Sequence, residues 1–194
     1  KYDNNGNLVW VKTMSGNGTG TGNLVSIDEK GDIYAVGTFS GTILFETQSM
    51  TAASVENTDN FLVKYAADGS MVWARSLKGS KLDDINAMDV ANHQVVIGGV
   101  IRSEDLAVDN APGILMKTLD TTGTWNSMLL ISFDTDGNYQ WNYIAGSINQ
   151  PTDVKTIAIE KDGSIWNAGT AFGTYYFNPD AEDEARQFPS KAKG

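Results

Sequence analysis

The 194-residue chain contains no cysteine. That rules out disulfides, a thiolate metal site and a cysteine nucleophile, and it leaves the compartment open, because a disulfide-free secreted bacterial protein has the same composition. There is one histidine, His93. With a single His, no Cys and no Gly-x-Ser-x-Gly elbow, Ser-His-Asp chemistry has no support. Positive charge is scarce: 14 Lys and Arg stand against 24 Asp and Glu, for a net charge of −10. Affinity for nucleic acid rests on neutralising phosphates, so no nucleic-acid partner is expected, and anionic membrane surfaces are disfavoured for the same reason. No apolar run reaches the roughly 18 residues of a membrane-spanning helix, so no membrane span is expected. No signal peptide is visible; the chain opens on Lys1-Tyr2, inside a repeat, as a processed or trimmed N-terminus would.

What the chain does have is a repeat. Tyr2-Asp3-Asn4-Asn5-Gly6-Asn7-Leu8-Val9-Trp10 returns as Tyr65-Ala66-Ala67-Asp68-Gly69-Ser70-Met71-Val72-Trp73 and again as Phe133-Asp134-Thr135-Asp136-Gly137-Asn138-Tyr139-Gln140-Trp141. The spacing of roughly 65 residues is that of stacked supersecondary units. Each copy reads as strand, turn, strand: Asp starts a type I turn and Gly takes the left-handed position after it. A second repeat runs without gaps from Ile33-Tyr34-Ala35-Val36-Gly37-Thr38 to Ile165-Trp166-Asn167-Ala168-Gly169-Thr170, with Val95-Val96-Ile97-Gly98-Gly99-Val100 as the middle copy. The 20 glycines lie mostly between short apolar runs, the pattern of a turn-rich all-β protein.

The expected organisation is a four-stranded unit, a-b-c-d. Residues 1–14 supply strands c-d of a split unit. Residues 24–77 and 85–145 are two contiguous units. Residues 154–194 supply strands a-b plus a long loop. Residues 15–23 read as a flexible loop. A long irregular segment runs on to about Asn60, with short strands near 42–45 and 174–177. Many strands are continuous apolar runs, as strands covered on both faces are. Four-stranded sheets at this period, with Gly and aromatics at fixed places, read as β-propeller blades.

Phe61-Leu62-Val63-Lys64-Tyr65, Trp73 and Asp28-Glu29-Lys30-Gly31-Asp32-Ile33-Tyr34-Ala35-Val36-Gly37 resemble the bacterial β-propeller repeat known as the SBBP repeat, and the resemblance covers nearly the whole chain. It implies a β-propeller fold and an extracellular or cell-envelope location, and it carries no catalytic residues to transfer. The middle copy departs from the pattern, with Asn92-His93-Gln94 as a shorter turn and Ser132 at the lysine position. Two contiguous blades and one split between the ends make about three blade equivalents. Rings have about 4–8 blades, so the expectation is a segment of a larger ring, closed by missing chain segments or by another copy.

Each chemical motif has a plainer reading. Asp134-Thr135-Asp136-Gly137 is similar to part of a calcium loop, but such a loop needs Gly at position 6 and Glu at 12. Here Gly falls at the fourth position and Ala145 at the twelfth, so it is a hairpin turn, and no metal is expected. Trp10, Trp73 and Trp141 could stack a sugar or a quinone; packing between blades accounts for them better, and no cofactor is expected. Thr118-Leu119-Asp120-Thr121-Thr122-Gly123-Thr124-Trp125 is similar to the sialidase Asp box, with its glycine displaced by one residue, and reads as a turn before strand c. His93 occupies a tight a–b turn.

Loop lengths point elsewhere. Connections a–b and c–d are short, whereas b–c and d–a are long and emerge at the opposite end, and binding residues concentrate on such loops. The long-loop face carries Glu46, Glu56, Glu104, Asp105, Asp109, Asp180, Glu182, Asp183 and Glu184, and the d–a loops add Asp83, Asp84 and Asp153. Asp83, Asp84 and Asp153 are the candidate ligand-binding residues. The expected function is a non-enzymatic cell-surface or secreted binding and scaffold module for a protein or glycan partner. The alternatives are a carbohydrate-active hydrolase or lyase using channel carboxylates, and a purely structural repeat of a large surface protein.

Overall fold

A computed structural model describes residues 1–54, 57–120, 122–177 and 187–189. Among these residues every regular element is a strand, as the sequence predicts. After β1 (Ser15–Gly16), the first unit contains β2 (Thr19–Ile27), β3 (Ile33–Ser40), β4 (Thr42–Phe45), β5 (Gln48–Thr51), β6 (Asp59–Tyr65) and β7 (Met71–Lys78). The second contains β8 (Asp84–Ala91), β9 (Gln94–Ile101), β10 (Leu106–Val108), β11 (Leu115–Met116), β12 (Ser127–Asp134) and β13 (Tyr139–Gly146). The third contains β14 (Thr152–Ile159), β15 (Ile165–Ala171), β16 (Thr174–Phe177) and β17 (Gln187–Pro189).

The first two units are antiparallel meanders, paired in the order β2-β3-β6-β7 and β8-β9-β12-β13. The hairpin inside each unit does not stay at home. β10-β11 adds to the outer edge of β7, and β16-β17 adds to β13, making two six-stranded sheets. In the same way β4-β5 adds to β1, which follows the first Trp strand region. Each long b–c connection is therefore a hairpin that extends the edge of the preceding unit's last strand and covers it, one of the ways a free sheet edge is protected. Two expectations need correction here. The stretch 15–23, read as a loop, carries β1 and the start of β2, because Thr19 to Gly22 pair with Gly37 to Ser40. The opening hairpin is reduced to a turn closed by one bridge, Tyr2 to Leu8, since among the described residues no strand pairs with residues 9–14.

The sheets stack face to face through apolar layers. Tyr34, Val36, Leu62 and Trp73 of the first sheet meet Val95, Ile97, Ile131 and Phe133 of the second. Val96, Met128 and Leu130 on the second sheet's other face meet Val154 and Ile157 of β14. Residues that alternate along a strand thus bury both faces, which explains why these strands read as continuous apolar runs rather than as an alternating pattern.

One irregularity recurs in every unit. The first strand is bulged, so that Asn23, Asn86 and Lys155 are extra residues in the β2–β3, β8–β9 and β14–β15 ladders. Opposite each bulge stands a glycine. A Cβ on Gly37, Gly99 or Gly169 would lie 2.0, 1.9 or 1.9 Å from the carbonyl oxygen of Thr21, Asp84 or Asp153. The repeated glycine is therefore required by a close backbone approach at the bulge.

Candidate functional site

The bulges fix where the candidate carboxylates point. Adjacent strand residues face opposite ways, and Asp83 and Asp84 do so. Asp83 turns inward and is 2% exposed. Its Oδ1 accepts hydrogen bonds from the N–H groups of Arg102 (2.7 Å) and Ser103 (3.0 Å), and its Oδ2 accepts one from the Ser103 hydroxyl at 2.6 Å. Burial pushes its carboxyl above the ordinary value, against the pull of those bonds. Its place in the fold is to tie the β7–β8 loop to the end of β9, with the carboxylate closed off from solvent. In the third unit Thr152 holds the same position, and its hydroxyl accepts the N–H of Met128 at 2.9 Å.

Asp84 and Asp153 occupy equivalent positions beside the bulges of β8 and β14, and they line one pocket. Its volume is about 330 Å³, and Asn86, Arg102, Lys155 and Phe172 share its wall. Asp84 Oδ2 is 3.0 Å from Arg102 Nη1. Asp153 Oδ2 is 2.6 Å from Lys155 Nζ, and its Oδ1 accepts the Thr170 N–H at 2.9 Å. Partial burial raises the Asp153 carboxyl, but the Lys155 ammonium and the Thr170 N–H outweigh it, and the group is held below its ordinary value. Phe172 is 50% exposed at the rim. The pocket therefore offers two carboxylates, two cations, amide side chains and one aromatic face. Arg102, Phe172, Asn86 and Lys155 were not singled out by sequence. The signal was present in the repeat: Arg102 and Phe172 follow the second strand at the same place, and Asn86 and Lys155 are both bulge residues.

Several other carboxylates are spent on structure. Asp59 is 3% exposed and accepts the N–H groups of Ala53 and Gly79. Asp105 accepts the Ser80 N–H at 2.9 Å, Asp109 accepts the N–H and hydroxyl of Ser76, and Glu46 pairs with Lys12 at 2.7 Å. Glu104 is exposed. Glu56, Asp180, Glu182, Asp183 and Glu184 lie outside the described residues. Asp120 is buried, its oxygens accepting the N–H groups of Thr122, Thr124 and Trp125, the turn expected there. His93 sits with Asn92 in a hairpin turn with positive φ at both (61° and 49°). Among the described residues no three His, Asp or Glu side chains group to hold a metal ion.

A larger groove, about 650 Å³, is lined by Trp10, Met14, Val25, Ile27, Phe61 and Tyr65 among others. Its Ile33, Ala35, Val63 and Tyr65 hold the positions at which Val95, Ile97, Ile131 and Phe133 bury against the first sheet. It is the face of the first sheet equivalent to the one that the second sheet buries.

No protein-family model matches the chain. The chain is similar to the "Regulatory protein FlaEY" of Caulobacter vibrioides (strain ATCC 19089 / CIP 103742 / CB 15), at 26% identity over 142 residues. The match covers 72% of this chain and 14% of that protein.

Proposed function

We propose that the chain is a segment of a β-propeller built from SBBP-type repeats, and that it acts as a non-enzymatic binding and scaffold module on the bacterial cell surface. In this reading each meander is a blade, the b–c hairpins strap neighbouring blades together, and the ring is closed by missing chain segments or by another copy. The stacked four-stranded meanders, their fixed bulges and the resemblance of the repeat support the architecture.

One observation carries the binding reading: two successive units aim the same strand position, Asp84 and Asp153, into one pocket. Carboxylates and cations side by side can each bridge vicinal hydroxyls, and an exposed aromatic at the rim can stack a sugar ring, so the ligand class that fits is a glycan. Both carboxylates are ion-paired, and Asp153 is held down, which suits binding. A general acid needs a raised carboxyl. The described carboxylates pushed upward, Asp59 and Asp83, are both enclosed in backbone hydrogen bonds.

The test is a screen of bacterial and host glycans against the wild type and the double variant D84A/D153A. The expected result is a ligand whose affinity falls at least about tenfold in the double variant and also in F172A. Unchanged affinity in both variants would remove the site, and release of cleaved sugar would replace binding with hydrolysis.

A further inference from the structure

The third unit ends its sheet early. β3 is paired on both sides, by β2 and β6, and β9 by β8 and β12. β15 is the gap-free sequence equivalent of β3, yet among the described residues it pairs with β14 alone. Its outer edge leaves a row of backbone N–H and C=O groups without a ladder. Trp166, on the face that should meet a further sheet, is 64% exposed, whereas its counterpart Tyr34 is fully buried.

A second observation points to the same open position. Trp10 lies against Gly69, and Trp73 lies against Gly137; in each case the glycine belongs to the c–d turn of the following unit. Lys1 and Lys64 reach the same turns, donating to the carbonyls of Ala67 (2.9 Å) and Thr135 (3.0 Å). In the second unit those positions are Trp141 and Ser132. No described turn glycine lies against Trp141, and the Ser132 hydroxyl is buried without a hydrogen-bond partner.

We propose that the outer edge of β15, together with Trp141, is an acceptor site for a β-hairpin of the β6–β7 type. The two completed units define its chemistry. The strand pairs antiparallel, as Ile33 does with Tyr65 and Val95 with Phe133, so an aromatic residue stands opposite Ile165. An apolar side chain stands opposite Gly169, as Phe61 and Leu129 do opposite Gly37 and Gly99. A lysine stands opposite Trp166, as Lys64 does opposite Tyr34, where its Nζ lies 5.1 Å from the ring centre. The turn of the hairpin covers Trp141. The inference rests on ladder register and would survive loss of the glycan pocket.

The probe is a synthetic peptide of residues 59–78 carrying W73F, so that it has no tryptophan of its own. Added to the intact chain, it should bind saturably and shift the emission of Trp166 to the blue. The shift should shrink in W166F protein and vanish only in the W141F/W166F double variant, because the hairpin's turn also covers Trp141. Affinity should fall about tenfold for the same peptide with K64E and for W166K protein, because each replaces a cation–aromatic contact with a mismatch. Binding of labelled peptide, measured separately by anisotropy, should persist in W166F. No saturable binding up to about 1 mM peptide, or binding indifferent to both K64E and W166K, overturns the proposal. So does a chain that buries Trp166 by self-association without peptide, which would make a second copy the occupant.

Discussion

Trp73 lies flat against Gly137, one repeat further along the chain, so closely that a Cβ there would come within 2.7 Å of the indole Cδ2. The indole N–H donates to the Thr135 carbonyl at 3.1 Å, and Arg75 lies over the same ring while its Nε donates to the Gly137 carbonyl at 2.8 Å. One tryptophan therefore clamps its own unit to the turn of the next. Gly137 also has φ of 81°, as Gly113 has 85° with nothing within 4 Å of its Cβ position. G113A measures the backbone strain alone, about 1 kcal/mol. G137A adds the collision with Trp73, and urea unfolding should show it less stable than G113A by a further 1–2 kcal/mol or about that.

The bulge glycines make a sharper comparison. Gly99 has an ordinary φ, but its Cβ position lies 1.9 Å from the Asp84 carbonyl oxygen, whereas nothing stands within 4 Å of Gly22. G99A should therefore cost more than about 2 kcal/mol. G22A should stay within about 1 kcal/mol of the wild type. Equal effects of the two substitutions, in the same unfolding assay, would remove the bulge explanation.

Asp83 predicts a pH dependence. Its folded carboxyl is raised by burial above the value of 3.8 expected for the unfolded chain. The folded state therefore takes up the proton first, and the contribution of this group to stability grows as pH falls from above the folded pKa towards 3.8. Wild type should gain stability relative to D83N over that window, seen as a rise in the Tm of the wild type minus that of D83N between about pH 7 and about pH 4. D83A, which leaves the N–H groups of Arg102 and Ser103 without an acceptor, should lose about 2–4 kcal/mol at pH 7.

Much of the frame was legible because it repeats. The Tyr65 to Trp73 copies located the c–d hairpins, and the three glycine-bearing strands located β3, β9 and β15. Turn chemistry was equally readable: Asp134 Oδ1 accepts the N–H groups of Asp136 and Asn138, and Gly137 follows in the left-handed region. What could not be read was non-local. Residues 15–23 look like a linker, because Gly and Thr carry little apolar signal, yet they pair with β3. The short strands near 42–45 and 174–177 were legible and are β4 and β16, whereas β10-β11 was too short to announce itself, and nothing local says that these hairpins join the preceding unit's sheet.

The site was half legible for a simple reason. Asp83 and Asp84 are neighbours in sequence, and only the phase of the strand decides which faces the pocket; the bulge at Asn86 makes that phase unreadable from alternation. Arg102 and Phe172 stand at one position of the repeat but differ chemically, so nothing in their residue types marks that position as shared.

The most direct measurement of the central claim is a crystal structure of this chain with the tightest glycan from the screen. The account predicts ligand density between Asp84, Arg102, Asp153 and Phe172, with a sugar ring against the phenyl face. Density seated elsewhere, such as the groove beside Trp10 and Tyr65, with the Asp84–Asp153 pocket empty, would contradict it.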